Sequence, residues 1–579
     1  MDQMKNKLLI LLGLLTTFLV SIDVYFNTVT LFSLFLYFLS ITVFVILFKD
    51  RGTTRLIQKR ETKDESNKRG ILILLFLIIV QIALLAYFSN FPFHYHEDEF
   101  IEAYTSFSLP AVNKINWFSV FPDKQSWVAQ FPILFFVFQK PFFMLFGPSI
   151  ESIRISTWPY QILILIYLYL LSKEYFSSSL SSASSILIFI FLAPNLYISS
   201  LGIHVISSTL FLLAGFYYLT LMMKKHNSNH AILCGIFTAL SYLTYPGSYI
   251  ALPIFLIFLT FESIKQRSLK PAKFFIITLV FWFLIMLPFL VYALTKDNFF
   301  TQRLGQVNFP WGTWGQTQQQ LQTGSNLINL VKAQALINVK SLYDNGFGGI
   351  GEYYFGRQAL FNPVTFAFLL AGFCISIYRG IFKNRSYLYL ISIIIIVFLT
   401  GMILTIPPGA IHRLSVVFPF IALVMAMVVD LIPKRIKFKN KNISLLYPVL
   451  VLLLIFSLTN FKSAITMIKK DQEISILTDS VYINSYIEKN VPKGSMILIS
   501  AFPSYHLQRE LIFRTRNSYK FTTNYFPEIL PFTDKNNILI LHYPDSSQIQ
   551  QLYSNFPNGK IINTINGSNL KIHAIFNPN

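Results

Sequence analysis

The chain has 579 residues, of which 54% are hydrophobic and only 13% charged, and its mean hydropathy is +0.54. A soluble globular domain carries about a quarter charged residues, so that class is excluded. A formal net charge of +21 would suit nucleic acid, but most Lys and Arg stand in short links between apolar runs, where they act as topology determinants.

The first apolar run, 8–22, follows Lys5 and Lys7 as a signal peptide would. No small-residue cleavage site follows it and a second run starts at 28, so it reads as a retained helix. Runs at 28–48, 71–90, 153–172, 182–200, 204–223, 231–245, 249–262, 274–295, 361–379, 386–406, 412–431 and 444–460 bring the total to about thirteen spans. Tyr245-Pro246-Gly247-Ser248 breaks two short runs with a turn signature. Cys234 and Cys374 lie within apolar runs and suggest neither a disulfide framework nor a thiolate metal site.

The stretch 131–147 is interrupted by Gln139-Lys140-Pro141. If it lies flat on the outer surface, the basic links 49–69, 224–225, 265–273, 379–385 and 434–441 all fall on the cytoplasmic side. If it spans, the first link falls opposite the other four, so the positive-inside rule favours an interfacial helix. The segments 91–152 and 296–360 and everything after about 461 are then extracytoplasmic.

From about 475 the composition changes. A helix over Ser480–Lys489, short β-type runs at Met496–Ile499, Asn537–Leu541, Lys560–Ile562 and Leu570–Phe576, and a helix at Ser546–Asn555 predict a small α/β domain. The expected architecture is an α-helical polytopic membrane protein with a small C-terminal extracytoplasmic α/β domain. Residues 1–70 hold two additional helices and a basic cytoplasmic loop, 71–460 the membrane domain, and 461–579 the α/β domain.

Chemistry-bearing residues gather at predicted outer helix ends. His94, His96, Glu97, Asp98 and Glu99 follow directly on the run 71–90. Carboxylates beside a bilayer are costly to hold and suited to proton chemistry. Consecutive acids cannot share one helical face, so one or two serve a site while the rest face water. His96 and Asp98 are weak candidates for a metal, because no third ligand is evident. Arg154 and Arg413 are lone arginines at outer boundaries, where they serve either to bind a phosphate or as snorkelling or paired structural groups. The long outer loop carries Arg303, Glu352, Arg357 and an aromatic–glycine stretch suited to sugars, lipid head groups or any membrane interface.

Asp98-Glu99 with Ala103-Tyr104, then Phe131-Pro132-Ile133-Leu134, Phe146-Gly147-Pro148-Ser149, Ile153-Arg154-Ile155-Ser156, and the late segment 407–419 follow one another in a distinctive order. In this the chain resembles the dolichyl-phosphate-mannose–protein mannosyltransferase-like family, including the aminoarabinose transferases of lipid A, over roughly 71–460. It departs from the pattern at Gln130-Phe131-Pro132, at Ile155, at Tyr245 where a Lys is usual, and in the acid-free segment 199–204. The resemblance implies a C-type glycosyltransferase of a multi-pass membrane, a bacterial cytoplasmic membrane being expected, with its active site and C-terminus extracytoplasmic. It would move a sugar from a polyprenyl-phosphate donor to a protein, lipid or glycan. Asp98 or Glu99 would be catalytic, and Arg154 and Arg413 would hold the donor phosphate. His94, His96, Glu102, His204, Tyr245, Arg303, Glu352, Arg357 and His412 are candidate substrate contacts. No cofactor is fixed, and a divalent metal is a candidate. The alternatives are a transporter or flippase of lipid-linked sugars, or an O-antigen ligase or polymerase. Transporters place ionisable groups near the bilayer midplane, whereas here the predicted helix centres are nearly free of charge.

Overall fold

The computed structural model describes residues 2–26, 28–48, 64–90, 96–109, 132, 134–176, 178–295, 302–309, 312, 326–346, 358–406, 410–432, 435–438, 441–444, 446–474, 478–500, 505–524, 538–542, 546–565 and 572–577. All the predicted apolar runs fall on helices. Among the described residues, eight helices are long and apolar enough to cross a bilayer. Ser179–Phe191 and Ala193–Ser199, bent by 62° at their junction, supply a ninth if the two are one span. Pro194 sits in the first turn after the bend, where its missing N–H breaks the ladder. Of the other predicted runs, 8–22 and 28–48 lie on Asp2–Phe26 and Leu31–Phe48, of 25 and 18 residues, whereas 231–245 and 249–262 lie on the shorter helices Ser228–Tyr242 and Ala251–Gln266, of 15 and 16 residues.

The N-terminal helices Asp2–Phe26 and Leu31–Phe48 pack on each other. They also pack on the membrane domain, the first against Leu269–Thr295, and the Tyr37 hydroxyl donates to the Ile285 carbonyl at 2.6 Å. Ser228–Tyr242 packs closely on Leu269–Thr295. A Cβ at Gly235 would lie 2.4 Å from the Thr278 carbonyl oxygen, so only glycine permits this approach. Leu134–Phe146 has 13 residues, about 20 Å at 1.5 Å per residue, which is short of a span.

The basic link near 435 forms an antiparallel hairpin, β1 (Arg435–Phe438) with β2 (Lys441–Ser444). The helix Leu446–Ile474 then leads to the C-terminal domain. Its sheet contains β3 (Met496–Ser500), β4 (Lys520–Asn524), β5 (Ile538–His542), β6 (Lys560–Ile565) and β7 (Ile572–Asn577), in the order β4-β3-β5-β7-β6. β3 pairs in parallel with both β4 and β5, while β7 pairs antiparallel with β5 and β6. Ile497, Leu498 and Ile499 are all buried, as expected for a central strand covered on both faces. Ile483, Ile487, Leu511 and Tyr519 pack with Ile497, Ile499 and Ile540 into a core separate from the membrane domain's. The helix Tyr505–Arg514 and strand β4 were not among the predicted elements.

Candidate active site

The acidic segment forms a helix, Glu97–Ser108. His96 caps it, its Nδ1 accepting the Asp98 amide N–H at 3.2 Å. Burial pushes the His96 imidazole down to about 3, which suits a ring nitrogen that accepts a hydrogen bond. The acids lie in the first turns, where the helix dipole favours negative charge.

Helical spacing sends these side chains to different surroundings. Glu99, Glu102 and Ser106 face the membrane domain. Phe100, Ala103, Tyr104 and Phe107 face the C-terminal domain, around its Phe513. Asp98 lies between the two faces. Its side chain is 19% exposed, against 0% for Glu99.

Glu99 is held on three sides. Arg154 forks onto it, with Nε 2.7 Å from Oε1 and Nη2 3.0 Å from Oε2, and the Gly202 amide donates to Oε1 at 2.9 Å. Arg154 Nη1 donates to the Ser89 carbonyl. This bidentate pair joins the end of the preceding span, the acidic helix, the helix Ile150–Ile155 and the link before Val205–Lys225. Gly202 is required here, since an added Cβ would lie 2.8 Å from the Ile153 carbonyl oxygen. Gly202→Val is expected to lower stability by about 1–3 kcal/mol through overpacking, read as a lower unfolding temperature in detergent. An unchanged temperature would contradict this packing.

One turn along, Glu102 is fully buried, which raises its carboxyl above the usual range. Glu102 Oε2 accepts the His204 amide at 2.8 Å and Oε1 meets the His204 ring at Nδ1. The His204 ring lies 4.8 Å from that of Tyr245 and 6.1 Å from that of Phe135.

The polar break in the run 131–147 now has a structural role. The Ser106 hydroxyl donates to Gln139 Oε1 at 2.6 Å, and Gln139 Nε2 donates to Ser156 Oγ at 3.1 Å. Lys140 Nζ donates to the Phe107 and Leu109 carbonyls, capping the acidic helix where its dipole is negative. Burial lowers the Lys140 ammonium's pKa.

His412 and Arg413 are buried on the 3-10 segment Ile411–Val417. Arg413 Nη2 donates to the Ile406 carbonyl at 3.1 Å. This segment packs against Ala193–Ser199 and Val205–Lys225, the two helices that flank Gly202 and His204. The long loop reaches the same region, where the Ile406 amide donates to the Val307 carbonyl and Asn338 Nδ2 to the Met402 carbonyl at 3.0 Å.

The structure thus brings together Glu99 with Arg154, and Glu102 with His204 and Tyr245. Two of the sequence candidates, Glu99 and Arg154, are thus partners of one buried pair. The Arg154 fork is filled by Glu99, and both side chains are buried. His96 Nδ1 already accepts an amide, and among the described residues no three His, Cys, Asp or Glu gather as metal ligands. His94, Glu352 and Arg357 lie outside the described residues, as do the side chains of Glu97 and Arg303. Gly202, Gln139 and Lys140 escaped sequence reasoning. A glycine closing a polar link and a polar break in an apolar run were the available signals.

Residues 130–292 match the family model of dolichyl-phosphate-mannose-protein mannosyltransferase. Among solved structures the chain is similar to ArnT from Cupriavidus metallidurans bound to undecaprenyl phosphate. The TM-score is 0.55 at 10% identity, covering 86% of this chain and 97% of ArnT. The apo state of ArnT gives 0.53 at 10% identity with the same coverage. No curated protein matches in sequence. The expected resemblance therefore holds for the central segment and for the fold.

Proposed function

We propose that this chain, with a mannosyltransferase-family segment and the fold of ArnT, is a membrane glycosyltransferase using a polyprenyl-phosphate-linked hexose or pentose. The observation that carries the reading is the division of labour on the acidic helix. Glu99 and Glu102 are buried in tertiary pairs, while Asp98 keeps a partly exposed carboxyl at the same end of the bundle.

In the proposed reaction an acceptor hydroxyl attacks the anomeric carbon of the sugar, and Asp98 takes the hydroxyl proton. The bond from that carbon to the phosphate oxygen breaks, and its electron pair leaves with the polyprenyl phosphate. That phosphate is already a good leaving group, so no strong acid is needed. Arg413, on the segment packed beside the helices that flank Gly202 and His204, is the phosphate candidate, and its guanidinium would stabilise the charge that develops there. The Glu99–Arg154 and Glu102–His204 pairs fix the pose of the helix. Placement of all the basic links on the cytoplasmic side supports an extracytoplasmic site.

The test is mass spectrometry of cell-envelope glycans from a deletion strain. A sugar-sized mass absent from the deletion and restored by the wild-type gene supports transfer. Identical glycan profiles would count against it.

A further inference from the structure

The C-terminal domain does not simply sit beside the membrane part. Its helix Tyr505–Arg514 packs directly on the acidic helix. Phe513 is buried, but its partners lie outside the domain's own core. It joins Phe100, Ala103, Phe143 and Ile153 in a separate cluster. The Phe513 ring centroid lies 5.4 Å from that of Phe143, 6.0 Å from Phe107 and 6.5 Å from Phe100.

Two cations flank this plug. The Arg509 guanidinium lies over the Tyr104 ring at 5.0 Å, and that of Arg514 over the Phe100 ring at 5.6 Å. Arg514 is itself fixed, with Nε donating to Glu510 Oε1 at 2.8 Å and to Ser480 Oγ at 3.0 Å. Glu510 is buried, and burial raises its carboxyl; the charge of Glu99, across the interface, adds in the same direction. The acidic helix is thus gripped on two faces, by Arg154, Gly202 and His204 on one and by Phe513, Arg509 and Arg514 on the other.

We infer that the C-terminal domain holds the acidic helix in its reactive pose, with Phe513 as the positioning residue for Asp98 and Arg509 as its polar flank. The inference rests on the reading of Asp98 as the transfer base, but its physical content is tested separately. A domain that only capped the membrane part would need no aromatic plug and no buried guanidinium on this one helix. Phe513 and its partners Phe100 and Phe143 are also buried more deeply than a rim contact requires, with Phe107 partly buried beside them.

The experiment uses the full-length protein in detergent, as wild type, Phe513→Ala, Phe513→Leu and Arg509→Gln. Hydrogen–deuterium exchange is followed in peptides covering 97–108, with 496–500 and 538–542 as the domain's own reference. Undecaprenyl phosphate is the binding probe. In Phe513→Ala, exchange in 97–108 is expected to rise at least about tenfold. Exchange in the two strands and affinity for undecaprenyl phosphate should stay at wild-type levels, and Phe513→Leu should restore most of the protection. Arg509→Gln should give a smaller rise in the same peptide. Unchanged exchange in 97–108, or an equal rise in the two strands for both Phe513→Ala and Arg509→Gln, overturns the inference. Loss of the glycan product with unchanged exchange rejects positioning and leaves transfer standing. Wild-type and deletion cells with the same glycans reject transfer and leave the exchange result intact.

Discussion

Asp98→Asn is expected to lower sugar transfer by about 10²–10⁴-fold while the protein still folds and inserts. The two side chains have nearly the same shape, so the change removes a proton acceptor and little else. Asp98 is the part of the helix where such a change should be tolerated structurally. Its carboxyl is partly exposed, and the N-cap bond from its backbone amide to His96 is kept. The same substitution at Glu99 should behave differently, because Glu99→Gln leaves the Arg154 guanidinium buried without its counter-charge. Turnover and unfolding temperature measured on both variants separate the cases. Asp98→Asn should lose turnover at constant stability, whereas Glu99→Gln should lose both. Wild-type turnover in Asp98→Asn would remove the proposed base.

Breaking the Glu99–Arg154 pair is the second large effect. Removing one partner of a buried, hydrogen-bonded pair typically costs about 3–5 kcal/mol, because the other charge stays in a dry site. Arg154→Leu would leave Glu99 with the Gly202 amide as its remaining partner among the bonds described above. The double variant Glu99→Leu/Arg154→Leu leaves no orphaned charge, so it is expected to be more stable than either single variant. A thermal unfolding cycle in detergent reads this directly. The opposite outcome is informative too. If Arg154→Leu keeps full stability and only weakens donor binding, the residue is a phosphate ligand after all, as its place at a helix end first suggested.

Much of the membrane architecture was legible because it is written in long apolar runs and the charges between them. The pairing at the site was not. Arg154 is a lone cation in its own segment, and Glu99 stands 55 residues away. Sequence marks both as unusual without marking them as partners. Glu102 and His204 were named separately for the same reason. The helix Tyr505–Arg514 was missed because Leu511, Ile512 and Phe513 are consecutive apolar residues. That blurs a helical period, and the physical reason is that the helix is buried on two sides. Leu511 enters the domain core while Phe513 enters the acidic-helix cluster. Strand β4, Lys520–Asn524, lies at the sheet edge and is mostly polar, so it shows little β-type run. The Glu510–Arg514 spacing of i,i+4 was the available helix signal.

The most direct test of transfer at the membrane surface uses purified protein in proteoliposomes with a polyprenyl-phosphate-linked sugar pool and an acceptor extract from the deletion strain. The lipid product is followed by mass spectrometry. The account predicts that free polyprenyl phosphate appears with wild-type protein and falls to background with Asp98→Asn. Movement of intact sugar-lipid across the bilayer, with no release of polyprenyl phosphate by the wild type, would contradict it and identify a flippase instead.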